Sequence, residues 1–347
     1  MTERIPALTP KRVMANFPKR PRDSHKGLFG TVAVIGGADG MVGAPLMAAR
    51  AALKLGAGCV HVGLLAENAP AVDFIQPELM LHGASDLLHY HRPLPNPLLV
   101  KNPSPQSSGG TTSHSTKLAN NASQVAGYPA SGRGGERERL FSIPAGEGAN
   151  VKGNFNPDVF AVGCGLGTSI AAQKLLYEAL KRNAMLVLDA DALNLLAKHA
   201  DLQDDLRARK PPSVLTPHPG EAARLLACGT KEIQADRVAA VQRLAQQFAC
   251  SVVLKGANSL CATSDGKIFV NKTGNPGMSS AGMGDVLTGM IAAFIAQGMT
   301  ADDALLLAVH LHGAAGDALA EQGITIGMTA SDLTEWARWL LNQWMDN

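Results

Sequence analysis

The chain is predicted to fold as an α/β protein, with a largely parallel central sheet and helices on both faces, on the strength of two observations. Short apolar runs rich in Val, Ile and Leu recur at 31–35, 159–162, 185–188, 213–216 and 251–254, too continuous in their hydrophobicity for strands with a wet face. Between them lie helical patterns at 45–55, 169–181, 192–198, 221–227 and 236–248. Strand, helix, strand in repetition argues for parallel pairing, and in such sheets ligands gather beyond the carboxyl ends of the strands.

Composition narrows the class. The 347 residues are 46% apolar, enough for a large core, and that length allows about two domains, although α/β folds of ~250 residues often form one. A net charge of +2 without long runs gives no reason to expect nucleic acid or an anionic membrane as partner. The five cysteines, Cys59, Cys164, Cys228, Cys250 and Cys261, are scattered and lack metal-ligand spacing, which predicts free buried thiols in a reducing compartment. The segment Met1 to Pro6 lacks the apolar core of a signal peptide, and no apolar stretch reaches ~18 residues. A soluble cytoplasmic protein is expected.

Taken in order, each predicted strand leads into unusual residues. Ile35 is followed by the small-residue loop Gly36 to Pro45, and Val162 by Gly163-Cys164-Gly165-Leu166-Gly167-Thr168. The latter is close to a G-x-G-x-x-G dinucleotide turn with Asp189 about 20 residues on as a ribose-binding acid, but Thr168 stands where the third glycine belongs. A tight strand-to-helix turn explains the same glycines. Leu188 leads to Asp189-Ala190-Asp191, where Asp191 suits the cap of a helix beginning at Ala192. Thr216 leads to Pro217-His218-Pro219-Gly220-Glu221. Pro219 suits the first turn of a helix, which places His218 at the positive end, either as a cap or as a neutral group facing a ligand. Leu254 leads to Lys255-Gly256-Ala257-Asn258-Ser259, a loop suited to phosphate or nucleotide and also a common kind of turn.

One interval breaks the pattern. From about 94 to 154 the chain is rich in Ser, Gly, Asn, Pro and Thr and cannot bury enough apolar surface to offset its chain entropy, so a disordered, passive insert is expected. It follows the early strands and could displace one of them.

The most telling stretch comes late. Gly274-Asn275-Pro276-Gly277-Met278 leads through Gly282-Met283-Gly284-Asp285 into the apolar run 286–294, a glycine loop opening a buried helix. Its first N–H groups are unpaired and suit phosphate oxygens. Asp285 at the lip is either a helix cap or a catalytic carboxylate.

Together, Gly43-Ala44-Pro45, Ala52 to Gly58, Gly163 to Gly167, Leu188 to Asn194, Thr216 to Glu221, Lys255 to Ser259 and Gly274 to Asp285 resemble the ADP/ATP-dependent NAD(P)H-hydrate dehydratases. The resemblance runs in order from about residue 25 to 340 as one domain around the insert, and looks like the stand-alone dehydratase without an epimerase domain. It implies a ribokinase-like three-layer sandwich that phosphorylates the C6 hydroxyl of hydrated NADH or NADPH and then eliminates phosphate. By that resemblance Ala44, Gly165, Gly167, His218 and Asp285 would contact the hydrated nucleotide, with Asp285 as the catalytic group. Lys255, Gly256, Ala257, Asn258, Ser259 and Gly284 would hold ADP or ATP, Gly282, Met283 and Gly284 would form the anion hole, and Mg²⁺ would bridge the phosphates. A homo-oligomer such as a tetramer is implied as well. Two residues depart from the family pattern. Ala281 would stiffen the loop if it needed positive φ, and Met283 would add bulk beside the nucleotide, reducing activity. The rivals are a kinase of the same fold acting on a vitamin precursor or sugar, and a nucleotide-binding homologue without turnover.

Overall fold

A computed structural model describes residues 5–89 and 156–345, so the insert expected at 94–154 lies outside the described residues. The predicted parallel sheet is present. Nine strands form one sheet in the order β3-β2-β1-β4-β5-β6-β7-β8-β9. Five of them are the predicted ones: β1 (Thr31–Gly36), β4 (Val159–Val162), β5 (Met185–Leu188), β6 (Ser213–Leu215) and β7 (Ser251–Leu254). These five are contiguous and mutually parallel, so their carboxyl ends line one edge.

Four strands were not foreseen. β2 (Cys59–Leu64) and β3 (Met80–Gly83) extend the parallel sheet beyond β1, while the short β8 (Leu260–Ala262) and β9 (Ile268–Val270) close the other side as antiparallel neighbours. With β1, β2 and β3 all in register, no early strand is displaced among the described residues.

Alternate residues of β1 sort into two cores, as a strand buried on both faces requires. Val32 and Val34 face one cluster, Ala33 and Ile35 the other. The first is built by α2 (Gly43–Lys54), α10 (Met283–Ala296), α11 (Ala301–Glu321) and α12 (Ala330–Met345). The second includes α4 (Ile170–Leu180), α5 (Asp191–Lys198), α7 (Pro219–Leu225) and α9 (Arg237–Phe248). Sheet plus a helical layer on each face makes three layers. α10 is apolar on nearly every side and is accordingly buried along most of its length.

Among the described cysteines all are free, but only Cys164, Cys250 and Cys261 are buried, while Cys59 and Cys228 are half-buried. No described helix is long and apolar enough to cross a membrane.

Candidate active site at the carboxyl edge of the sheet

The loops leaving β1 and β4 are stitched together. Gly37 N donates to Cys164 O at 3.1 Å and Ala38 N to Gly165 O at 2.7 Å. Gly165 has φ +58°, and a Cβ there would stand 2.7 Å from Met41 O and 3.2 Å from the Cβ of Ala44, so only glycine fits this crossing. Ala44, in the first turn of α2, therefore lies against the Gly165 turn. Gly167 N donates to Asp191 Oδ2 at 2.8 Å. Asp191 is thus not the expected side-chain cap of α5: the N-cap is Ala190, and the carboxylate instead pins the glycine turn.

The purely capping reading of Asp285 is likewise overturned. The N-cap of α10 is Gly282, at φ +87° and without a side-chain bond, and Asp285 sits in the first turn beyond it. A carboxylate oxygen of Asp285 lies within 4.8 Å of donor atoms of Cys164 and Asp189, beside the turn where the first helix N–H groups converge. Ala281 is absent from the residues with positive φ and is exposed, so it does not strain the loop. Met283 is buried at 7% exposure and belongs to the core cluster that α2 and α10 share. Its carbonyl accepts His312 Nε2 at 2.9 Å. Burial pushes His312 down to about 4 and keeps it neutral. The preceding loop is held by Asp317 of α11, which accepts Gly274 N at 2.9 Å and Asn275 Nδ2 at 3.1 Å. Neither His312 nor Asp317 was singled out from sequence, because both lie in the middle of a long helix whose periodicity reads as core.

Behind this turn lies a buried charge cluster. Asp189, at the end of β5 and 1% exposed, accepts Lys255 Nζ at 2.7 Å and Thr288 Oγ1 of α10 at 2.9 Å. Burial opposes its charge, but Lys255 and the hydroxyls of Thr216 and Thr288 outweigh burial and hold it below the ordinary carboxylate value. It is therefore no exposed ribose-binding acid. Lys255 is held charged in turn: burial opposes it, while Asp189 and, 4.0 Å away, Glu221 raise it. Asp285 behaves in the opposite sense. Burial raises it to about 6, Asp189 and Asp191 reinforce the shift, and the Cys164 thiol, hydrogen-bonded to it, and Lys255 only partly oppose. Donor atoms of Cys164, Asp189 and Asp285 all lie within 4.8 Å of one another. A carboxyl poised near neutrality beside a helix N-terminus suits proton transfer next to a phosphate.

His218 is the N-cap of α7, with Pro219 following. Its Nδ1 accepts Gly220 N at 3.0 Å and its backbone N donates to Glu221 Oε2 at 2.8 Å, a capping box. Burial, then Lys255 and Arg224, lower its pKa, so the ring is neutral with its proton on Nε2. The side chain is 50% exposed, leaving a face for another group. In the loop after β7, Ser259 Oγ closes the turn on Gly256, accepting its N at 3.2 Å and donating to its O at 2.8 Å. Asn258 takes φ +52°, a conformation Asn tolerates, and Gly256, Ala257 and Asn258 are exposed. The Lys255 side chain, by contrast, turns inward: its Nζ is 3.3 Å from where a Cβ on Gly284 would stand. Lys255 and Gly284 are therefore adjacent, while the rest of the loop lies outside them.

Two clefts of about 680 and 400 Å³ lie at the opposite edge, around Phe269 and Thr300 and around Ser213 and Ser251, and neither includes a residue of the charge cluster. Nor does the cluster fit a resident Mg²⁺: it offers a thiol, and Asp189 is already taken by an ammonium and hydroxyls. A Mg²⁺ carried by phosphate oxygens and water needs no such cage.

Comparison with known proteins places the chain in a family. A family model described as NAD(P)H-hydrate dehydratase matches residues 32–95 and 137–338. The chain is 37% identical over 331 residues to the ADP-dependent (S)-NAD(P)H-hydrate dehydratase of Neisseria meningitidis, covering 94% of this chain and 90% of that one. It is 35% identical to the bifunctional NAD(P)H-hydrate repair enzyme Nnr of Coxiella burnetii, spanning 54% of that protein's length. Among solved structures, the ADP/ATP-dependent NAD(P)H-hydrate dehydratase of Bacillus subtilis, co-crystallised with ATP and Mg²⁺, superposes with TM-score 0.72 at 25% identity, over 98% of this chain and 99% of that one. A ribokinase-like superfamily protein of Enterococcus faecalis, with TM-score 0.70 at 22% identity, shares the fold. By sequence and architecture the chain belongs to the NAD(P)H-hydrate dehydratase family.

Proposed function

We propose that this protein repairs hydrated NADH and NADPH, using ADP or ATP to convert the hydrate back to the reduced cofactor. The observation that carries the reading is Asp285, a carboxyl raised to about 6, in the first turn of a buried helix whose N-terminus faces the strand-end loops. The C6 hydroxyl of the hydrate gives its proton to Asp285 as its oxygen bonds to the terminal phosphorus of the donor. The phosphoanhydride bond breaks, and AMP or ADP leaves. The ring nitrogen's electron pair then expels inorganic phosphate from C6, and loss of a proton from the neighbouring carbon restores the double bond.

The residues divide the work. Ala44, Gly165, Gly167 and His218 bind the hydrate, with the neutral His218 ring offering its Nε2 proton to a polar group of that ligand. Lys255, Gly256, Ala257, Asn258, Ser259 and Gly284 hold the adenine nucleotide. The N–H groups of Gly282, Met283 and Gly284, with Lys255 beneath them, stabilise the charge that develops on the transferring phosphoryl. Mg²⁺, carried on the nucleotide phosphates, would neutralise part of their charge. The same reading takes residues 1–347 as a single domain with a passive insert, assembled as a homo-oligomer and acting in the cytoplasm. Counting products tests it: one inorganic phosphate released per reduced nicotinamide formed is expected, whereas a stable phosphorylated product with no inorganic phosphate would make the protein a small-molecule kinase of this fold.

A further inference from the structure

Building on the reaction proposed above, we infer that Asp189 is a positioning residue serving both halves of the site. It holds the Lys255 ammonium under the first turn of α10, and its carboxylate, set behind Asp285, fixes the protonation state from which Asp285 works.

Asp189 has no surface to offer a substrate. It is 1% exposed, and its oxygens are committed to Lys255 Nζ at 2.7 Å and Thr288 Oγ1 at 2.9 Å, with the Thr216 hydroxyl also favouring its charge. Those partners come from the ends of β6 and β7 and from α10, so one carboxylate ties the nucleotide strand to the anion-binding helix. A Cβ on Gly284 would lie 3.3 Å from Lys255 Nζ and 3.5 Å from Asp189 Oδ2, which places the ion pair against the backbone of that first turn. Without Asp189, the nearest acid to the ammonium is Glu221 at 4.0 Å. Glu221 is already committed, accepting His218 N at 2.8 Å and facing His218 Nε2 at 3.4 Å. An unanchored ammonium would swing toward that capping box and away from α10.

The second effect is electrostatic. The groups facing Asp285 are Cys164 after β4, Asp189 after β5, Asp191 at the start of α5 and Lys255 after β7. His312 of α11 approaches the same turn but is neutral, and His218 and Glu221 of α7 stand beyond Lys255. Two carboxylates against one ammonium leave a negative surrounding, which favours a proton on Asp285. At about 5 Å and an effective dielectric near 20, the bare interaction with one such charge corresponds to roughly two pH units, which the ammonium of Lys255 and solvent screening reduce to about one. Charge behind a base strengthens it for accepting a hydroxyl proton.

Asp189→Asn keeps an oxygen for Thr288 but removes the charge. In the ligand-free protein, the carboxyl resonance of Asp285 is followed by carbon NMR and assigned by its loss in Asp285→Asn. It is expected to titrate about one pH unit lower in Asp189→Asn than in the wild type. The acid limb of the pH–rate profile should move with it, and kcat with ADP should fall 10- to 100-fold while KM changes little. Should Asp189→Asn not fold, Thr288→Val keeps both charges and the side-chain shape while releasing Asp189 from α10, and is expected to lower kcat about tenfold with KM for ADP unchanged. The inference is overturned if Asp285 titrates at its wild-type pH in Asp189→Asn, with the loss confined to stability. An unchanged kcat in Thr288→Val would overturn it equally. A wild type that never returns reduced nicotinamide would refute the proposed reaction but leave the NMR titration readable.

Discussion

Replacing Asp285 by Asn separates chemistry from folding, because the cap of α10 is Gly282 and the substitution removes no cap. Folding the native carboxyl raises it from 3.8 to about 6. Between those values the folded chain holds a proton that the unfolded chain has lost, so stability falls as pH rises through this window. The full cost is reached above pH ~6, and at 1.36 kcal/mol per unit it amounts to about 3 kcal/mol. Asn carries no such cost. The variant should therefore match the wild type near pH 4 and exceed it by up to about 3 kcal/mol at pH 7.5, measured by urea unfolding at both. Turnover should fall on the order of 10²- to 10⁴-fold, with ADP binding retained, since a general base contributes about that much. A stability difference independent of pH would refute the environment assigned to Asp285. Near-normal turnover would remove it from the mechanism.

Three further outcomes follow from the same structure. His218→Ala should cost about 1 kcal/mol as a lost cap, and should impair use of hydrated cofactor far more than ADP binding, because the two loops leave different strands; calorimetric titration showing ADP affinity lost as completely as activity would contradict this. Asp317→Ala should free Gly274 N and Asn275 Nδ2 and raise the KM for nucleotide several-fold with the melting temperature little changed; an unaltered KM would show that the loop needs no such clamp. Deleting 103–148 should leave a folded, active protein, and a folded but inactive one would give the insert a role.

The central strands were legible because burial on both faces demands continuous Val, Ile and Leu, as in β1 and β7. β8 and β9, three residues each, carry too little pattern to separate from loop, and β3 ends in His82-Gly83 with little apolar content. The loops of the site were legible through glycines and strand ends. What their side chains do was not. Asp191 satisfies the local rule for a cap, yet the fold carries Gly167 to it from 24 residues away. Lys255 reads as part of a loop suited to phosphate, whereas its ammonium is drawn inward by Asp189, a partner 66 residues distant that no local pattern reveals. Met283 reads as bulk beside the nucleotide, and the fold buries it in the core that α2 and α10 share, a placement no local pattern reveals.

The most direct measurement is the absorbance of reduced nicotinamide when purified protein, Mg²⁺ and ADP are mixed with hydrated NADH. Recovery that requires nucleotide, rises as pH passes through about 6 and disappears in Asp285→Asn is the predicted result. No recovery with either ADP or ATP would contradict it.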